Sequence, residues 1–151
     1  MGKSANPAST TLPPLPCGCA ALRRTARAIT QLYDEALRRL DLRVTQFTIM
    51  QVLDHVGSIA QGDLGRVLAM DSTTLSRTMK LMEKNGWITS VPGRDRRERQ
   101  FSLTRKGRAQ MERAVPLWES VQARFRKSLG ESNWAQLVAV LDQATSAASR
   151  A

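Results

Sequence analysis

The side chains able to do chemistry fall into two polar clusters and a pair of thiols. The first cluster is Asp71-Ser72-Thr73-Thr74-Leu75-Ser76-Arg77; the second, Arg94-Asp95-Arg96-Arg97-Glu98-Arg99, follows Pro92-Gly93. Small hydroxyls and an arginine at the start of a helix can approach base edges closely, and a helix N-terminus favours a phosphate. Arginines on a thin turn suit the narrow, more negative minor groove of duplex DNA. Alone, a Ser/Thr run commonly serves only as a helix cap, and a basic turn is commonly a solvated loop. Their succession carries the reading. From Arg94 to Arg108 seven basic residues stand against two acidic ones, directly after the hydroxyl-rich turn.

The whole chain has the same bias. Across 151 residues, 23 Lys and Arg against 13 Asp and Glu give a net charge of +10, which favours either nucleic acid or an anionic membrane surface. No run of about 18 apolar residues occurs, so a membrane-spanning helix is excluded and no membrane partner is expected. Catalysis lacks its parts. The only histidine, His55, stands between Asp54 and Val56, and the chain has no glycine-rich phosphate loop or clustered carboxylate pair. No cofactor is expected.

Cys17 and Cys19 flank Gly18, too close together to bridge without strain, which argues against a disulfide-stapled secreted scaffold. With one distant histidine they make a poor metal site. Two thiols at the start of a helix, one turn before Arg23 and Arg24, are either redox-active or inert residues at the edge of an arm. Residues 1–18 are expected to form that flexible arm. No apolar stretch of signal-peptide length is present, and a cytoplasmic location is expected.

These side chains need elements to position them. Leu22, Ala26, Ile29, Tyr33, Ala36, Leu37 and Leu40 recur at helical spacing, predicting a long first helix. Thr45 can cap a second helix through Phe47, Met50, Leu53 and Val56 that stops at Gly57. A short third helix is expected over Asp63 to Leu68, and a fourth from Asp71 through Leu75, Met79 and Met82 to Gly86. The period then changes: Trp87 to Val91 and Gln100 to Thr104 read as two strands of a hairpin with an arginine-rich tip. Helical spacing resumes after Thr104, with Pro116 expected to kink the helix, and a last helix carries Trp134, Leu137, Leu141 and Ala144 behind Ser132 as cap. Two short helices, a tight turn and a basic hairpin predict a mainly α fold with a small β-hairpin wing, a winged helix-turn-helix.

At these residues the sequence resembles the MarR family of bacterial regulators. The wing signature stands as Asp95-Arg96-Arg97 followed by Leu103-Thr104-Arg105-Lys106-Gly107, preceded by Leu81-Met82-Glu83-Lys84-Asn85-Gly86-Trp87-Ile88. The motif core spans Leu64 to Gly107, and helix order extends the resemblance over roughly residues 20–148. It implies a single domain over 19–151, with the winged helix-turn-helix at about 45–104 and dimerisation helices at about 19–40 and 105–148.

The resemblance also assigns roles. Ser72, Thr73, Thr74, Ser76 and Arg77 become major-groove contacts, Arg97 a minor-groove contact held by Asp95, and Arg94, Arg96 and Arg99 phosphate contacts. A homodimer would form through faces around Leu22, Leu117, Trp118, Trp134 and Leu141, and a small aromatic or anionic effector would bind near Tyr33, Phe47, Met50 and Met70. Some family members sense oxidants through a cysteine near the first helix, the role open to Cys17 and Cys19. Two positions depart from the pattern: Ala60 lacks the hydroxyl expected before the third helix, and Ser90 replaces an arginine common on the first wing strand, for which Arg94 would compensate. The expected function is that of a sequence-specific, DNA-binding repressor, dimeric on pseudo-palindromic operators and released by a ligand or an oxidant. The competing reading is a basic DNA-packaging or membrane-surface protein that uses charge alone.

Overall fold

A computed structural model describes residues 16–93 and 98–150. The order is α1 (Gly18–Leu37), a single 3-10 turn (Arg38–Leu40), α2 (Val44–Val56), β1 (Ile59–Ala60), α3 (Gln61–Leu68), α4 (Ser72–Lys84), β2 (Ile88–Pro92), β3 (Arg99–Leu103), α5 (Arg105–Leu129) and α6 (Glu131–Ala148). This is a winged helix-turn-helix between long helices. No helix among the described residues is long and apolar enough to cross a membrane. The expected arm lies largely in residues 1–15, outside the described residues.

The core sits where α2, α4, α5 and the sheet converge. Phe47, Ile49, Met50 and Leu53 of α2 meet Leu75, Met79 and Met82 of α4, with Trp87, Ile88 and Phe101 from the sheet side and Met111 and Ala114 from α5. Each set follows the period of its element, one stripe of a helix or one face of a strand. The sheet has three strands, not two. Ile59 and Ala60 pair antiparallel with Phe101 and Gln100, so β3 lies between β1 and β2. A two-residue strand is too short to show alternation, which is why the sequence pattern passed over it.

Several caps differ from expectation. Thr45 does not open α2. Asp34, reaching across from α1, accepts from Val44 N at 2.8 Å, while Gln46 Oε1 accepts from Arg43 N at 2.9 Å. A carboxylate from another helix thus does the work that a local hydroxyl was expected to do. Helix α3 starts at Gln61, directly after β1, and Ala60 gives it no side-chain cap. Ser132 does not cap α6; Gly130, at φ +88°, turns the chain instead, and the Arg126 guanidinium clips to the Glu131 carboxylate at 2.8–2.9 Å. Helix α5 runs through Pro116 as one element.

The far ends of the molecule are lightly covered. Helix α6 buries no residue; it leans on α5 through an edge-to-face contact of Phe125 and Trp134, with ring centroids 5.8 Å apart. Leu22 and Leu32 of α1 and Val138, Val140 and Leu141 of α6 remain exposed.

Candidate nucleic-acid interface

Helix α4 is held at both ends. At its start, Ala69 adopts the left-handed conformation at φ +50°, and Met70 N–H bonds to Gly65 O at 3.0 Å, which turns the chain sharply out of α3. Asp71 then caps α4 by accepting from Thr74 N at 2.8 Å. Hydrogen bonds from Thr74, the hydroxyl first and then the amide, hold the Asp71 carboxyl below the usual carboxylate value. Gln61 of α3 donates to Ser76 Oγ at 2.7 Å, bracing the two helices.

With Leu75, Met79 and Met82 buried, the 3.6-residue period decides what α4 shows outward. Thr73, Arg77, Lys80 and Lys84, all exposed, lie on the opposite side of the helix, roughly 140–200° around from Leu75. Ser72 and Ser76 lie on the shoulder toward α3, and Thr74 on the other shoulder. Of the five α4 residues expected to read DNA, Thr73 and Arg77 therefore occupy the outward stripe. Ser76 is engaged with Gln61, and Thr74 with its own cap. Lys80 and Lys84 extend this basic stripe at steps of three and four residues onward from Arg77, a spacing that the hydroxyls of the first turn do not reveal.

The wing is anchored at its base. The ladder pairs Ile88 with Leu103, Ser90 with Phe101, and Pro92 with Arg99, and Gly93 N–H closes it on Glu98 O at 2.7 Å. Arg94, Asp95, Arg96 and Arg97 lie outside the described residues. Arg99 opens β3 at the tip-side end of the ladder, where its guanidinium pairs with Glu83 of α4 at 2.8 Å and also donates to Ser90 Oγ. The guanidinium beside Ser90 therefore comes from the opposite strand. At the other end of the hairpin, Thr104 Oγ1 donates to Gly86 O at 2.6 Å and accepts from Gly107 N at 2.9 Å, capping α5.

The start of α4 and the tip-side end of the hairpin share an open cleft of about 770 Å³, lined by Gln61, Arg66, Asp71 and Ser72 on one side and Glu98 and Arg99 on the other. A second cleft, about 620 Å³, lies where α1, α2 and α4 meet; Asp34, Arg43, Met70, Thr74, Arg77 and Leu81 line it. Of the four expected effector residues only Met70 borders this cleft. Phe47 and Met50 are fully buried in the core, Phe47 packing on Trp118 with centroids 5.8 Å apart. Tyr33 is buried and donates its hydroxyl to Gln122. Burial also raises its pKa. Cys17 and Cys19 are free and exposed at the start of α1. Among the described residues no group of three or more potential metal ligands gathers.

Residues 42–98 match the family model described as the MarR family. A helix-turn-helix-type transcriptional regulator of Bacillus cereus is 31% identical over 104 residues, covering 69% of this chain and 69% of that protein. The chain belongs to the MarR family. Among MarR-family structures it resembles the M. tuberculosis transcriptional regulator MosR in complex with DNA, at 36% identity and a TM-score of 0.77, over 87% of this chain and 98% of that one. It is also 30% identical over 100 residues to the organic hydroperoxide resistance transcriptional regulator of Bacillus subtilis, covering 66% of this chain and 68% of that protein. The family is one of helix-turn-helix transcriptional regulators, and the MarR-type winged helix accounts for every element between α2 and β3.

Proposed function

We propose that this MarR-family chain acts as a homodimeric, sequence-specific repressor on pseudo-palindromic duplex DNA. One observation carries the reading: α4 turns Thr73, Arg77, Lys80 and Lys84 outward, and its N-terminal edge faces the tip-side end of the wing ladder across one open cleft. Thr73 and Arg77 read base edges in the major groove, with Ser72 and Ser76 at its margin and Thr74 setting the cap. Lys80 and Lys84 meet phosphates. Arg97, restrained by Asp95, enters the minor groove, while Arg94 and Arg96 add charge. The apolar faces of α1 and α6 cover one another between two copies, and a two-fold axis then places the reading helices about one helical turn of DNA apart.

Release is assigned to the α1–α2–α4 cleft, where a small anionic or aromatic effector beside Arg43 and Arg77 would compete with DNA for Arg77. Oxidation of the exposed Cys17 and Cys19 is the second route, in keeping with the similarity to a regulator named for organic hydroperoxide resistance. The decisive experiment is a competition titration of a duplex selected from a randomised pool against a shuffled duplex of the same composition. Preference for the selected duplex by a dimer, together with repression of a reporter placed behind it, is the expected result. Equal affinity for both duplexes would leave only a charge-driven binder.

A further inference from the structure

One carboxylate stands inside this basic surface and touches both DNA-reading elements. Glu83, near the end of α4, has a side chain only 24% exposed. Its Oε1 accepts from Ser90 Oγ of β2 at 2.9 Å and from Arg99 Nη2 of β3 at 2.8 Å. Arg99 also donates to Ser90 Oγ, and its guanidinium carbon lies 5.1 Å from the ring centroid of Phe101, which is fully buried. Ser90 faces Phe101 across the ladder, and Arg99 lies two residues before Phe101 on its strand, so all three share one face of the sheet. A single acidic group thus ties the reading helix to both strands of the wing.

We infer that Glu83 is a positioning residue that fixes the wing against α4 through Ser90 and Arg99, and so sets the separation of the major- and minor-groove contacts. The inference rests on the DNA-reading function proposed above. An isolated surface ion pair would do little, since exposed pairs are screened and costly to order. This one is shared by three groups, largely shielded on the carboxylate side, and backed by a buried ring. Its effect falls on binding, because a wing already held in place loses less freedom when it meets DNA. It also reassigns Arg99 from phosphate contact to clamp. At Ser90, where the family commonly has an arginine, the guanidinium arrives from the neighbouring strand.

Clamp and simple electrostatics have opposite signs for Glu83→Gln. Removing a negative charge from a DNA-facing surface strengthens binding to any duplex. Loosening the wing weakens binding to the selected duplex, by roughly three- to tenfold for one or two side chains that must be ordered on binding. The experiment measures anisotropy titrations on a duplex selected by the wild type and on its shuffled control. Amide hydrogen exchange at Ser90, Val91, Arg99 and Gln100 of the DNA-free protein is followed alongside. Expected are weaker binding to the selected duplex only, and faster exchange in β2 and β3 with unchanged exchange in α2 and α5.

A rescue completes the test: Arg99→Ser weakens selective binding, and Ser90→Arg combined with Arg99→Ser restores it by returning a guanidinium to Glu83. Tighter binding of Glu83→Gln to both duplexes, or wild-type exchange rates in its wing, overturns the clamp, as does a double variant no better than Arg99→Ser. Should the wild type itself show no preference between duplexes, sequence reading fails, and the exchange rates alone still decide the clamp.

Discussion

Replacing Gly107 by alanine sets two effects of opposite sign against each other. Gly107 is in the first turn of α5, where an alanine would ordinarily stabilise the helix by about 1 kcal/mol. Here the added Cβ would stand 1.9 Å from Trp87 O and 2.7 Å from Trp87 C, and both are backbone atoms. The carbonyl would have to retreat by roughly 1 Å or more to reach van der Waals contact. That carbonyl accepts from Thr104 N at 3.0 Å, so retreat weakens the junction between wing and α5. Overpacking of this kind costs about 1–3 kcal/mol. Each hydrogen bond lost adds about 1 kcal/mol. After the helix-propensity gain, a net destabilisation of about 2 kcal/mol is expected. Urea unfolding of wild type and Gly107→Ala, followed by far-ultraviolet circular dichroism, measures it. An alanine variant as stable as wild type, or more stable, would refute the contact as the reason for glycine at this position.

Other outcomes follow from the same geometry. Lys80→Ala and Lys84→Ala should each reduce the salt slope of DNA binding by about 1 while leaving the preference between selected and shuffled duplexes intact; Thr73→Ala should do the reverse. Leu141→Glu, on a helix that buries nothing within its own chain, should convert the proposed dimer to monomer in analytical ultracentrifugation at micromolar concentration. Because the Asp71 carboxyl lies below its usual value, its stabilisation is present at neutral pH and lost as pH falls through the folded-state value. Asp71→Asn keeps a cap and should flatten that part of the acid-unfolding profile; an unchanged acid slope would show that the cap charge contributes nothing.

Long periodic segments were legible because burial imposes their spacing: Leu75, Met79 and Met82 predict α4 and its orientation together. The Thr104 to Gly107 turn was equally readable, as a motif. What the sequence withheld was brought in from elsewhere in the chain. Asp34 caps a helix ten residues away, Gln61 takes up the Ser76 hydroxyl, and Arg99 finds Glu83, all contacts that no local pattern encodes. The effector residues show the same limit. Phe47 and Met50 have the composition of a binding cleft and the spacing of a core, and folding placed them in the core.

In the sheet, β3 is hydrogen-bonded on both edges, and Phe101 at its centre is fully buried. A slip of one residue would turn Phe101 toward solvent and carry its neighbours to the wrong face. The ladder therefore has a fixed zero, counted outward through Pro92 opposite Arg99 to the last rung, Gly93 to Glu98. Residue pairs added or removed beyond that rung change the reach of the hairpin in steps of about 3.3 Å without disturbing the base. Wing length thus behaves as an adjustable gauge on an immovable mount.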